Sequence, residues 1–294
     1  MNRAHARRPL LLALLLFLPL VLPGCSRLQL AYGTAPFFIE RYADDYLALD
    51  SAQLTQWEPR LTAGLAAHRA LELPLLAGYF EALHQASLAG FDAANTACLT
   101  DAFLELYRRH ARLAVATAAP LLAGLTPAQV QTLERRFALE YAQDQPQPGD
   151  RERELAKRAR RYVKSIEEWT GPLTAAQRGL VAAVTRRMPD TAAAVLDYRT
   201  SKRRAFIELL NTRANEAAIA RFLTDWLVDF RDLPPTLVRA GAQLQERVGE
   251  LLIALGASLD QAQSRQLNEQ LAGLRDDLMQ LQKAPHLVPV TCRA

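Results

Sequence analysis

A chain of 294 residues that is half hydrophobic and 22% charged is neither disordered nor collagen-like. Its 52 Leu and 51 Ala stand against 12 Val and 5 Ile. Leu and Ala favour helices whereas β-branched residues favour pleated surfaces, so a sizeable sheet is excluded and an all-α chain is expected. The formal charge of +4 and pI near 9.1 would suit a nucleic-acid binder. That excess belongs to the extreme N-terminus: residues 1–24 hold Arg3, Arg7, Arg8 and no acid, leaving 32 cations against 31 acids from residue 25 onward.

The N-terminus reads as an address. A basic stretch, Met1 to Pro9, is followed by the apolar run Leu10 to Leu22, the n-region and h-region of a secretory signal. At about 1.5 Å per residue this run spans roughly 20 Å, short of the ~30 Å hydrocarbon core of a bilayer, so cleavage is expected rather than a permanent span. Leu22-Pro23-Gly24-Cys25 resembles the bacterial lipobox. The resemblance implies cleavage between Gly24 and Cys25 and acylation of Cys25; palmitate or similar chains would hold the protein on the membrane without a span. Ser26 lacks the aspartate associated with inner-membrane retention, so the expected location is the periplasmic face of the outer membrane, where a nucleic-acid partner is not expected. The domain expectation is a signal peptide over 1–24, a lipidated tether over 25–35, a helical domain over 36–283 with a subdivision near 145–150, and an irregular tail over 284–294.

With Cys25 acylated, Cys98 and Cys292 remain. In an oxidising compartment the two can form a disulfide; the other reading makes Cys98 a small core hydrophobe and Cys292 a tail thiol. Neither has the C-x-x-C spacing of redox or zinc sites.

In chain order, periodicity and breakers predict helices over Pro36–Leu49, Ser51–Arg69, Pro74–Ala89, Ala93–Thr117, Pro127–Gln143, Arg151–Trp169, Ala175–Arg187, Thr191–Thr212, Asn215–Phe230, Thr236–Leu255 and Gln261–Gln282. The expected architecture is thus an all-α bundle of about ten to eleven helices. Leu244, Val248, Leu251 and Leu255, with Leu267, Leu271, Leu274, Leu278 and Leu281, step by threes and fours, which predicts a C-terminal antiparallel helical hairpin.

One pattern recurs four times: Leu49-Asp-Ser-Ala-Gln53, Leu125-Thr-Pro-Ala-Gln129, Leu173-Thr-Ala-Ala-Gln177 and Leu259-Asp-Gln-Ala-Gln263. Each reads as a capping box, Thr or Asp accepting from a free backbone N–H and Gln reaching back. Their uneven spacing argues against a solenoid. The Leu-Thr-x-x-Gln form is similar to repeats of small helical periplasmic stress chaperones. More broadly, the string Cys25-Ser-Arg-Leu-Gln-Leu-Ala-Tyr32, the helix Arg41-Tyr-Ala-Asp-Asp-Tyr46, His68-Arg69-x-x-Glu72-Leu-Pro74 and the Leu-Thr-x-x-Gln starts resemble the DUF6279 lipoproteins of Gram-negative bacteria. The resemblance implies an exported, lipid-anchored, all-helical protein and no known activity.

Chemistry-bearing motifs are few. There is no G-x-S-x-G, P-loop, H-E-x-x-H or G-x-G-x-x-G, so no catalytic residue and no cofactor is expected. Glu81-x-x-His84 has the spacing of bundle di-iron sites but lacks a second copy, and His68 with Glu72 is an i,i+4 pair, so no metal is expected. Asp44 and Asp45 between Tyr42 and Tyr46 mark either a ligand site or an amphipathic helix. Lys157, Arg158, Arg161 and Arg203 lie in two basic runs that offer a patch for an anionic envelope component, or the solvated faces of two helices. The leading expectation is a non-enzymatic interaction or chaperone-like protein that binds another envelope protein. A binder of lipopolysaccharide or peptidoglycan is second, and a hydrolase using His68 or His84 third.

Overall fold

Six of the helix starts among the described residues carry a side-chain cap. The computed structural model describes residues 24–145 and 151–292. It contains α1 (Gly24–Leu47), α2 (Ser51–Ala67), a π-helical turn (His68–Glu72), α3 (Leu73–Ala89), α4 (Ala93–Ala123), α5 (Pro127–Gln143), α6 (Arg151–Thr170), α7 (Ala175–Arg186), α8 (Ala192–Asn211), α9 (Glu216–Leu227), α10 (Pro235–Gly256) and α11 (Gln261–Gln280). Among the described residues there is no strand, and the molecule is an all-α bundle. All four recurrent motifs form complete capping boxes, on Asp50, Thr126, Thr174 and Asp260. A fifth, Asp92 with Asn95, starts α4; its Asp-x-x-Asn form escapes a search for Gln.

Three boundaries differ from the sequence reading. Residues 25–35, expected as a tether, continue α1, because Leu28 and Tyr32 pack against Leu73, Ala77 and Leu278 and so give this segment a buried stripe. Helix α4 runs past Pro120 to Ala123, held by buried Ala119 and Leu121. Helices α2 and α3 are joined through the π turn, in which the Leu73 N–H reaches the carbonyl of His68. Pro74 accounts for this: lacking an N–H and crowding the carbonyl four residues back, it disfavours regular α-helix at that point.

Leu47, Trp57, Leu61, Val115, Val130, Phe206, Ile219 and Val228 lie in the largest core, shared by the end of α1 with α2, α4, α5, α8 and α9. A second core joins α6, α7 and α10 around Leu173, Val181, Val184, Leu251 and Leu255. A third lies between α3 and α11, with Leu287 of the tail packed on it. The subdivision expected near 145–150 falls largely on 146–150, outside the described residues; helices α8 and α9, which follow it, complete the core begun by α2, α4 and α5.

The C-terminal helices carry their apolar stripes where expected, but α10 and α11 do not pack along each other. Val248, Leu251 and Leu255 face α6 and α7, while Leu274, Leu278 and Leu281 face α3. A seam shows that a face is apolar, not which face covers it, and α6, α7 and α3 supply better cover here than the adjacent helix.

The recurrent motifs also meet in pairs. Gln53 Nε2 donates to Gln129 Oε1 (3.0 Å) and to the Gly124 carbonyl (3.1 Å), while Gln129 Nε2 donates to Gln53 Oε1 (2.6 Å) and to the Ala48 carbonyl (2.9 Å). Gln177 and Gln263 repeat the arrangement: each Nε2 donates to the other's Oε1 (2.8 and 3.0 Å), and they reach the carbonyls of Ser258 and Pro172 (both 2.8 Å). In every copy the carbonyl reached is two residues before the partner's N-cap, and each Oε1 also accepts from its own N-cap N–H. Every amide therefore uses both donors and both acceptor positions. The motif starts a helix and welds it to a second helix start.

Candidate functional site

Two of the segments quoted for the DUF6279 resemblance, Cys25–Tyr32 and His68–Pro74, meet at the π turn. Tyr32 on α1 approaches His68, its hydroxyl 3.0 Å from His68 Nδ1 and 3.2 Å from the Leu65 carbonyl oxygen. Arg69 lies over the Tyr32 ring (4.9 Å), and its Nε is buried with no hydrogen-bond partner among the described residues. His68 and His110 stand edge to face with centroids 5.0 Å apart. Glu72, only 6% exposed, accepts two hydrogen bonds from Arg109 on α4, Nε to Oε2 at 2.8 Å and Nη2 to Oε1 at 2.9 Å. A buried carboxylate without such a fork would cost several kcal/mol.

Burial lowers the pKa of His68, and neighbouring His110 adds to the effect against an opposing pull from Glu72. The imidazole is thereby biased toward its neutral form. Burial raises the pKa of Tyr32, opposed by Arg69. The cluster therefore holds a phenol, an imidazole biased toward its neutral form and a carboxylate paired with Arg109 where the first helix meets the body. The sequence places His68, Glu72 and Tyr32 in quotable motifs but pairs His68 with Glu72; in the structure Glu72 turns to Arg109 and His68 to Tyr32. Nothing in the spacing points to Arg109 or His110, which lie more than thirty residues downstream.

A second feature is an apolar cleft of ≈ 320 Å³ between α3, α6, α10 and α11. Phe80, Leu83, Phe91, Trp169, Leu252 and Leu267 are among its lining residues, and no lining side chain is charged. The Thr170 hydroxyl at its edge donates to the carbonyls of Ile166 and Gly171, leaving it no hydrogen to offer a ligand. The Phe80 and Trp169 rings lie nearly parallel, 6.4 Å apart. The cleft exists because α10 and α11 diverge instead of zipping together.

The other residues named from sequence are placed as follows. Glu81 is hydrogen-bonded by Arg275 (2.6 Å) and Gln85 (2.7 Å), which hold its carboxyl below the usual range, while His84 stands off at 3.9 Å. Among the described residues no three His, Cys, Asp or Glu side chains gather as a metal site would require. Tyr46 donates to Glu140, and that bond helps push its pKa up to about 12; Asp45 pairs with Arg41 at 3.5 Å. Of the four basic residues, Lys157 binds Glu154 (2.6 Å), Arg158 donates to the carbonyls of Met188 (3.0 Å) and Thr185 (3.4 Å), and Arg203 is held between Glu140 and the Phe137 ring. Arg161 is exposed. Three of the four cations thus engage groups of the chain itself. Cys98 and Cys292 are joined in a disulfide with Cα atoms 5.3 Å apart, which fixes the C-terminal tail across α4. Gly78 makes that path possible, since a Cβ there would lie 1.7 Å from the Val288 carbonyl oxygen. The side chain of Cys25 lies outside the described ones.

The sequence model of a family of unknown function, DUF6279, matches residues 45–239. The chain is a DUF6279 protein. No curated protein matches it, and neither does any solved structure. The DUF6279 match contains His68, Glu72, Arg109 and His110, both glutamines of the Gln53–Gln129 junction, and Gln177. Tyr32, Gln263 and α11, with its wall of the apolar cleft, lie outside the matched span. No helix among the described residues is long and apolar enough to cross a membrane.

Proposed function

We propose that this DUF6279 protein is an exported lipoprotein, acylated at Cys25, that faces the periplasm from the outer membrane and binds an apolar segment of another envelope protein or a misfolded client without catalysing a reaction. The Leu22-Pro-Gly-Cys25 lipobox supports the anchor. The apolar cleft carries the binding reading: it is concave, walled by aromatic and aliphatic side chains, lacks a charged group, and its volume falls within the range of ligand pockets. The Leu-Thr-x-x-Gln motifs do not carry it, because their side chains are used up within the two junctions.

The cleft is tested by Leu83→Asp and Leu267→Asp, which place a charge among apolar walls. Holding activity is read as light scattering of an unfolding substrate protein titrated with the mature chain. Loss of suppression in both variants, with unchanged helical circular dichroism, is the expected result; undiminished suppression removes the cleft from the reading. The anchor is tested separately: Cys25→Ala should abolish palmitate incorporation and release the protein from membranes.

A further inference from the structure

The first helix presents an apolar face that nothing in the fold covers. Leu30, Phe37, Phe38 and Tyr42 are each more than 60% exposed, and the Phe37 and Phe38 rings contact edge to face with centroids 5.4 Å apart. Single exposed apolar residues are ordinary, but several along one stretch of helix mark a contact surface. Leu30 and Phe37 are seven residues apart, hence on the same side of α1. The opposite side is committed to the body: Leu28 and Tyr32 pack on the α3–α11 core, and Ala43, Tyr46 and Leu47 belong to the largest core. The contacts of Tyr32 with Leu65 and His68 further fix how α1 sits. The helix thus cannot turn its aromatic face inward without giving up these contacts.

Two observations identify what covers that face. First, α1 begins at Gly24, directly after the apolar run Leu10 to Leu22, and Cys25 lies in its first turn. Whether the run is retained or replaced by acyl chains on Cys25, the start of α1 is held at a bilayer surface, with Phe37 twelve residues, or roughly 18 Å, along the helix. Second, charge divides α1 in two. Residues 24–39 contain one charged residue, Arg27, and no acid, whereas residues 40–47 contain Glu40, Arg41, Asp44 and Asp45. A helix standing away from the membrane has no need of such a division. One lying along it keeps acids off the part nearest the anchor and puts Leu30, Phe37 and Phe38 there, with Tyr42 at the border with the charged end, where an apolar body and polar tip both find partners.

We infer that the exposed Leu30–Phe37–Phe38–Tyr42 face of α1 is a membrane-docking surface that lays the helix along the lipid headgroups beside the anchor. The proposal rests on the lipoprotein reading and adds orientation to it. Because α1 is packed into the body, the whole bundle is held against the bilayer instead of swinging on a tether. Tethering supplies a high effective concentration, so a modest apolar face suffices.

The test has two arms. In the first, acylated protein in phosphatidylethanolamine–phosphatidylglycerol vesicles containing a photoreactive phospholipid is irradiated and its peptides are mapped. Lipid adducts on the peptide carrying Phe37 and Phe38 are expected, with their loss in Phe37→Ser/Phe38→Ser. Adducts absent from that peptide in palmitate-labelled protein overturn the docking surface while leaving the anchor intact. In the second arm, the chain from residue 25 carrying Cys25→Ala is floated with the same vesicles. Burial of two phenyl rings predicts that Phe37→Ser/Phe38→Ser weakens its partitioning roughly tenfold or more. Equal partitioning of the two chains overturns the proposal, and so does a concentration-dependent dimer cross-linked through α1, which would make a second copy the occupant. If palmitate is not incorporated the lipoprotein reading fails, and the second arm alone decides the docking surface. Unchanged circular dichroism guards against misfolding, which two exposed positions are not expected to cause.

Discussion

At the Gln53–Gln129 junction one amide, Gln53, is partly exposed and the other is 7% exposed, whereas Gln177 and Gln263 are 4% and 5% exposed. The bonding pattern is the same in both: two reciprocal amide bonds, two bonds to carbonyls, two capping boxes, and one Asp and one Thr as N-caps. The surroundings differ. The first junction sits at the edge of a core built from six helices, where other apolar contacts hold the same elements together. The second belongs to a smaller core of three helices; the motif leucines take part in the packing at both junctions, Leu49 and Leu125 at the first and Leu173 and Leu259 at the second. An identical hydrogen-bond set matters more where water cannot replace it and where fewer other contacts share the task.

The largest effect is expected from the covalent tie between the two regions. Cys98 lies on α4, which serves the large core, and Cys292 lies in the tail beyond α11, which carries Gln263. Reduction, or Cys292→Ser, should lower the free energy of unfolding by about 4 kcal/mol. Urea transitions followed at once by Trp57 and Trp169 fluorescence should then separate; a midpoint untouched by reductant would show that the bond ties nothing.

Next in size is the contrast between the junctions themselves. Gln263→Leu strands the Gln177 amide and the Pro172 carbonyl in a dry site and removes a capping box, for an expected loss of about 3 kcal/mol. Gln53→Leu, with water within reach, should cost about 1.5 kcal/mol. Equal losses in denaturant titrations would show that burial does not set the value of the motif. Gln177→Leu combined with Gln263→Leu should cost clearly less than the sum of the two singles, because removing both partners leaves no stranded amide.

The smallest expected effect is on pH dependence, and it belongs to one region only. His68 has a lowered pKa in the folded protein, from burial and from His110. The unfolded chain therefore takes up this proton at a higher pH than the folded one. Stability is complete above the ordinary histidine value of about 6.5 and declines as pH falls from there toward the lower folded value, then levels off. His68→Gln should flatten that decline. The sequence has no histidine from residue 111 to 285, so probes on α6, α7 and α10 should not sense it directly. A decline of equal size around Trp169 in a reduced protein would contradict this division.

Much of the local structure is legible from sequence because its causes are local. A capping box lies within four residues, so Asp50, Thr126, Thr174 and Asp260 announce their helices. The apolar stripes of α10 and α11 show which faces are buried. The tether expectation over 25–35 failed because the stripe of Leu28 and Tyr32 is short, and only α3 and α11 make it worth burying. The polar cluster was half legible: His68 and Glu72 stand in a motif, but Arg109 and His110 are an ordinary pair on a long helix until folding brings them to the π turn.

The sequence by itself determined that this protein is helical, where the helices after the first one start, which faces are apolar, and that its excess positive charge lies before residue 25. Those properties follow from propensity, period and i→i+3 hydrogen bonds, all carried within a few residues. Only the tertiary structure decided that Gln53 meets Gln129 and Gln177 meets Gln263, that α10 and α11 part to leave an apolar cleft, and that α1 turns four large apolar side chains outward. Such pairings depend on which of many apolar faces can be covered together, a choice made over the whole chain at once and written in no single segment of it.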